Sequence, residues 1–383
     1  MQVPIAPAVA PAIQPRHRSV LPAPVAPAPT EPELLLNASA AMPRLLDAIR
    51  GARHVVNISL YGWLDSGSGA QLARAIEQKA REGVEVNVMM DARGSFVAPL
   101  LKGTRFVERL RAAGVNVIVN RSLVPFVSDP VDHGKSYSID GRVGFLGGMN
   151  LSKTYDTWND AMVTLDASAS HAVGRDFLAR WVERGGTVSA VNQRLYADPA
   201  SAPASTGSEV LVNRPGRSTA ITDAYVGAIA TAKQRIWIES PFLGSQALVD
   251  ALVGAAQRGV DVRLLTNGID TDGSVPGANW LGTGYYAQLV RGGVKVYQQD
   301  QMTHSKILLA DDHAIVGSFN LTTKSERHHH EMSLRSTSAS LMRQVSAMFD
   351  AHMATGLLVT EAELKRPSFR MLELVRKALR IQY

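Results

Sequence analysis

The second half of this sequence repeats the order of the first, and that repeat constrains the fold more than any other feature. In the first half, A-R-H-V-V-N-I-S-L-Y (52 to 61) reads as a strand, followed by a helix over about 68 to 81 and a strand in G-V-E-V-N-V-M-M-D (83 to 91). The second half gives A-K-Q-R-I-W-I-E-S-P (232 to 241), a helix over about 245 to 257, and G-V-D-V-R-L-L-T-N (259 to 267). A further helix, glycine and strand follow in each half, at 106 to 119 and at 285 to 297. The offset is 176 from Gly83 to Gly259 and 179 from Gly114 to Gly293, steady enough to indicate duplication. Each half is therefore a β-α-β-α-β unit, a pattern that favours parallel strands with helices on both faces. The expected fold class is α/β, with two similar halves forming a pseudo-dimer of parallel-rich mixed sheets flanked by helices.

Residues 34–191 are expected to form the first half and 218–355 the second, joined by a Ser-, Ala-, Pro- and Gly-rich linker at 192–217. Nine of the 19 prolines fall within residues 1 to 32, so 1–33 reads as a disordered Pro/Ala-rich arm, serving as a tether, an export signal or a recognition arm. Residues 356–383 read as a basic amphipathic tail, with Phe369, Leu372, Val375 and Leu379 at helical spacing. That tail fits either an anionic lipid surface or the body of the protein. No stretch of 18 or more residues is free of charge and proline, which predicts no spanning helix. Cysteine is absent, excluding disulfides, thiolate metal sites and a cysteine nucleophile. The formal charge of +6 leans weakly towards phosphate-bearing partners.

After each unit comes the same motif. The first runs H-G-K-S-Y-S-I-D-G-R-V-G-F-L-G-G-M-N from His133 to Asn150, and the second H-S-K-I-L-L-A-D-D-H-A-I-V-G-S-F-N from His304 to Asn320. Both read H-x-K-x4-D followed by G-[GS]-x-N. Alternation in a strand puts His133 beside Lys135, and His304 beside Lys306. The second motif is one residue shorter after its aspartate, which points to a shorter hairpin turn after Asp311. These motifs resemble those of the phospholipase D superfamily over about residues 34 to 352. Within it, D-G-R-V-G-F-L-G-G-M-N, W-N-D at 158 to 160 and G-S-F-N-L-T-T-K-S ending at Ser325 look most like the bacterial cardiolipin synthase-like branch.

The resemblance implies phosphodiester hydrolysis or phosphatidyl transfer on glycerophospholipids, through one active site built between the two halves and a covalent phosphohistidine. His133 is assigned as nucleophile and His304 as general acid by the superfamily's commoner pattern; the sequence itself does not break that symmetry. A neutral imidazole suits attack on an anionic phosphodiester near pH 7. Lys135, Lys306, Asn150 and Asn320 are expected to hold the phosphoryl oxygens. No metal or cofactor is called for.

Catalytic imidazoles usually hand their second N–H to a carboxylate. Asp160 lies 27 residues after His133, and Glu331 lies 27 after His304, so each is expected to orient the histidine of its own half. Asp140 and Asp311 are read as structural. The run His328 to His330 could form a zinc site but is read as a polar strand, with His329 lining the cleft on the face of Glu331. Trp158 is read as core or cleft wall. G-K-S at 134 to 136 imitates a P-loop end, but Asp129 stands where the first glycine is needed. The alternatives left open are a metal-independent nuclease using the same site and a non-catalytic lipid or nucleic-acid binder. The expected location is the cytoplasm or the peripheral membrane of a bacterium.

Overall fold

The computed structural model describes residues 29–95, 102–120, 131–196, 205, 207–272 and 276–379. Residues 1–28 of the expected arm, 197–204 of the expected linker and 380–383 of the tail lie outside these. The first half runs β1 (Leu34–Leu36), α1 (Asn37–Gly51), β2 (Val55–Leu60), α2 (Gly67–Arg81), β3 (Glu85–Asp91), α3 (Lys102–Ala112), β4 (Asn116–Asn120), β5 (Val131–Asp132), β6 (Lys135–Ile139), β7 (Val143–Gly147), β8 (Ala161–Leu165), α4 (Ala167–Glu183) and α5 (Ala190–Tyr196). The second runs β9 (Ser208–Arg214), β10 (Ser218–Thr219), α6 (Ala220–Thr231), β11 (Arg235–Glu239), β12 (Leu243–Gly244), α7 (Gln246–Gln257), β13 (Asp261–Asp272), α8 (Pro276–Thr283), α9 (Tyr286–Arg291), β14 (Lys295–Gln301), β15 (Ile307–Ala310), β16 (His313–Gly317), β17 (Leu321–Thr322), α10 (Thr323–Arg327), β18 (His329–Ser336), α11 (Ala339–Thr355), β19 (Leu357–Leu358) and α12 (Pro367–Leu379).

Each half builds a mixed sheet around three parallel strands, β2-β3-β4 and β11-β13-β14. The motif hairpins β6-β7 and β15-β16 extend these antiparallel, giving the orders β1-β8-β7-β6-β2-β3-β4 and β10-β9-β18-β16-β15-β11-β13-β14-β19. Every residue of β2 is buried, which is why V-V-N-I-S-L reads as a near-continuous apolar run. The glycines that mark the repeat, Gly83, Gly114, Gly259 and Gly293, all have φ between +87° and +92°. A left-handed residue there ends each helix and turns the chain into the next strand.

The halves meet through a shared core. Leu146, Val163 and Leu165 of the first sheet pack in one cluster with Ile307, Val316, Met332 and Phe349 of the second half. Two short backbone pairings also cross the junction. His329 and His330 pair in parallel with Val131 and Asp132, while Asn159 bridges Thr303. A shift of 171 residues carries 132 to 303 and 159 to 330, so these crossings are images of each other in the duplicated chain.

Three expectations change. The span 192–217 is more than a linker: Asn192 is buried in α5, and 208–214 form β9, of which 208–213 pair with β18. The end of the arm touches the body, where the Glu33 N–H donates to Thr164 Oγ1 at 2.9 Å and Ser338 Oγ donates to Glu31 at 3.0 Å. In α12 the apolar side is not the buried one throughout. Phe369 and Arg376 are buried, whereas Met371, Leu374 and Val375 are 58%, 67% and 39% exposed. Arg376 packs because its guanidinium donates to Gly284 O and Gln246 Oε1, both at 2.9 Å. No helix among the described residues is long and apolar enough to cross a membrane.

Candidate active site

The crossing strands deliver both motif histidines to one cavity of about 410 Å³. The N–H groups of His133 and Gly134 donate to His330 O at 3.0 Å, and the His304 N–H donates to Asn159 O at 2.6 Å. Each histidine is thus fixed by backbone of the opposite half. Asn150 and Asn320 also line the cavity, with Tyr61, Trp158 and Phe242 as aromatic wall and Arg93 and Lys324 as cationic wall.

The carboxylates cross over as well. His133 Nδ1–H donates to Glu331, 2.9 and 3.0 Å from its two oxygens, and His304 Nδ1–H donates to Asp160 at 2.7 Å. This overturns the expectation that each acid orients the histidine of its own half. The equal spacing of 27 is real symmetry, but β8 and β18 carry their acids across the junction, so the pairing is in trans. A carboxylate can only accept, so both rings carry their proton on Nδ1 and keep Nε2 for chemistry.

Burial lowers the pKa of both imidazoles well below 6.5, against the pull of Glu331 on His133 and of Asp160 on His304. Burial alone would raise the two acids. The facing histidines reverse this, holding Asp160 below, and Glu331 well below, the usual carboxylate range. Glu331 also accepts from Ser318 Oγ at 2.5 Å and Ser325 Oγ at 2.6 Å.

Lys135 and Lys306 are buried, 0% and 1% exposed, and are not among the residues that line the cavity. Each ammonium donates to the carbonyl of its own histidine. Burial lowers Lys135 to about 8; burial, then repulsion from Lys135, lowers Lys306 to about 7 against the pull of Asp160. Asn150 Oδ1 accepts from the Gly62 N–H at 3.1 Å, and Asn320 Oδ1 is buried without a hydrogen-bond partner among the described residues.

Asp140 and Asp311 stand apart from the cavity lining. Asp140 accepts from the N–H groups of Arg53, His54 and Val55 within 2.9 Å, and Asp311 from those of Lys233, Gln234 and Arg235 within 3.1 Å. Both sit at positive φ, 50° and 40°, where each motif hairpin turns back. Their carboxylates close the entry to β2 and β11. The second hairpin is the tighter, pairing Ala310 with His313 where the first pairs Ile139 with Val143.

A family profile described as "Cardiolipin synthase, PLD-like domain" matches residues 45–181 and 225–353. The chain belongs to that family. It is 31% identical to cardiolipin synthase A of Pseudomonas aeruginosa over 359 residues, covering 89% of this chain and 70% of that protein. It is 27% identical to a probable cardiolipin synthase of Bacillus subtilis over 341 residues, covering 84% and 65%. Among solved structures, phosphatidylserine synthase of Haemophilus influenzae matches with a TM-score of 0.68 at 13% identity, over 91% of this chain and 93% of that one. At that identity the likeness speaks for the fold.

Sequence reading of this cardiolipin synthase relative misses two side chains that hold Glu331. Ser318 sits inside the second motif and Ser325 five residues past its end, but nothing in the string shows that their hydroxyls point at Glu331. Trp158 and His329, read as cleft wall and cleft lining, lie tilted against the imidazoles, with ring centroids 5.0 Å from His304 and 5.4 Å from His133. Their positions also differ by 171, a signal available from the repeat.

Proposed function

We propose that this protein transfers a phosphatidyl group between alcohols, through a phosphohistidine on His133, with His304 as acid and then base. Phospholipid substrates and phosphatidyl transfer are the activity of its family. The observation that carries the mechanism is the pair of imidazoles on one cavity, each oriented by the other half's carboxylate. His133 Nε2 attacks phosphorus, and the bond to the leaving alkoxide breaks as His304 gives that oxygen its proton. An acceptor alcohol then loses its proton to His304 and attacks phosphorus, and the P–N bond breaks to free His133.

The phosphodiester brings a negative charge beside His304, which favours the protonated ring that the acid step needs. Lys135, Lys306, Asn150 and Asn320 are the groups assigned to the phosphoryl oxygens. A single-turnover assay with phosphatidylglycerol labelled in its phosphate tests the roles. His304→Ala should trap labelled protein and His133→Ala should not; the reverse pattern would exchange the roles. Cleavage of single-stranded DNA but not phospholipid by the wild type would favour a nuclease.

The exposed face of α12 supports working at a bilayer surface. Met371, Leu374 and Val375 form an apolar stripe, and Arg366, Arg370 and Lys377 around it are exposed. Replacing the three apolar residues by serine should weaken binding to phosphatidylglycerol vesicles while leaving turnover of a short-chain soluble lipid unchanged. Equal vesicle binding would remove this surface from the account.

A further inference from the structure

One corner of the cavity contains more ligand atoms than the proposed chemistry uses. Of the run His328 to His330, His328 and His329 both line the cavity, and the His329 ring lies beside that of the nucleophile. His330 faces away, with Nε2 3.2 Å from Asp176 and Nδ1 3.7 Å from Asp132. His329 Nδ1 is buried and lies 3.6 Å from Glu331 Oε1, just beyond hydrogen-bond distance, with no nearer partner among the described residues. The donor atoms of His133, His329 and Glu331 all lie within 4.8 Å of one another. In the other half-site the place of His329 is taken by Trp158, which cannot ligate a metal, so the corner beside His304 has no equivalent third donor.

We propose that His133, His329 and Glu331 form a zinc-binding site, and that Zn²⁺ bound there inhibits the protein. Two imidazoles and a carboxylate are a donor set zinc accepts, with bonds of about 2.0–2.2 Å and therefore donors about 3.3 Å apart. Two edges of the triangle are already close to that, at 3.0 Å for His133 to Glu331 and 3.6 Å for His329 to Glu331. The third edge, His133 to His329, is within 4.8 Å, so the ion has to draw the two rings closer, and both rings line the cavity from which water can supply a fourth ligand. The ion takes the place of the Nδ1 proton of His133, and that proton leaves to solvent. The ring is then tied to the metal instead of being held by Glu331 for attack. The inhibition rests on His133 being the nucleophile; the binding does not.

The full chain, freed of metal and titrated with ZnCl₂ by calorimetry, should bind one ion, and His329→Gln should bind it at least about tenfold more weakly. Co²⁺ should give visible bands in the wild type and in His328→Gln that are missing from His133→Gln, a readout that stands even if His329→Gln fails to fold. In a phospholipid assay, EDTA should leave activity unchanged or raise it, and zinc should lower it over the range in which it binds. Wild-type affinity in His329→Gln, Co²⁺ bands that survive His133→Gln, or activity lost to EDTA and restored by zinc would each overturn the proposal. An inactive wild type that still binds zinc through these residues would leave the site standing and remove the catalytic reading instead.

Discussion

The two half-sites hold the same pair of groups by different means. Beside His133, Glu331 is fixed by two serine hydroxyls at 2.5 and 2.6 Å. Beside His304, Asp160 is fixed by its own strand, accepting the Ala161 N–H at 2.8 Å. Gly148 stands where the other half has Ser318, and a Cβ there would lie 2.3 Å from Asp160 Oδ1 and 2.9 Å from His304 O. The shorter acid needs backbone room, and the longer one needs hydroxyls to stop its extra methylene from swinging. Duplication thus kept the position of each imidazole while its supports diverged.

The largest expected effect tests the equivalence itself. His133→Ala and His304→Ala should each lower kcat by about 10⁴-fold or more, and the double variant should be little worse, because the two act as one unit. Unchanged far-ultraviolet circular dichroism would confirm that the variants fold. Wild-type activity in either single variant would break the comparison.

Next come the crossed acids. Asp160→Asn and Glu331→Gln should lower kcat by about 10²- to 10⁴-fold with little change in KM, since each supports a ring rather than substrate. Pairing in trans adds a signature: Asp160→Asn should accumulate phosphoprotein as His304→Ala does, and Glu331→Gln should fail to form it. The opposite assignment would restore pairing within each half.

The serines sharpen the contrast. Ser318→Ala and Ser325→Ala each remove a hydrogen bond to a buried charge, which is worth about 1.5–3 kcal/mol, so about 10- to 100-fold in kcat is expected. Gly148→Ser should fail for the opposite reason, crowding Asp160. A harmless Gly148→Ser would show that the two corners are interchangeable.

The lysines give the pH dependence. Lys306 is lowered to about 7 by burial, so raising pH through that value removes its charge from the free protein. Accordingly kcat/KM should fall above about pH 7, and Lys306→Arg should move that limb upward. The sign for stability is the reverse. Between about 7 and its ordinary 10.5, the unfolded lysine holds a proton that the folded one has released, so melting temperature should rise with pH across that window. Added phosphate should flatten the rise by keeping the lysine charged; a melting temperature that falls from pH 7 to 9 would contradict the lowered value.

The smallest effect belongs to the turns. Asp140→Ala and Asp311→Ala each lose a cap on three N–H groups and should cost about 1–2 kcal/mol of stability. Active-site constants should hold in both, as measured by urea melts alongside steady-state rates.

Helices ending at the repeat glycines, buried parallel strands and a doubled histidine–lysine motif were legible because periodicity and spacing act locally. The role of Asp140 was legible for the same reason, since a residue at a strand end beside glycine marks a turn. Asn192 and β9 were not, because Ser-, Pro- and Gly-rich composition around residues 197–207 masks a short strand whose partner, β18, lies more than 100 residues away. Which face of α12 packs was left open by the sequence, because a long arginine can be buried when two acceptors meet its guanidinium.

The sequence by itself determined the duplication, the residue types at the site and the equal interval from each histidine to a carboxylate. Only the tertiary structure decided which carboxylate serves which histidine. An interval of 27 residues is the same whether the strand returns to its own sheet or crosses to the other, and the crossing is set by backbone pairing of Val131 with His329 and Asn159 with Thr303. Those pairings join residues far apart in the chain and sit beside the apolar core that the two sheets share, so no local spacing encodes them.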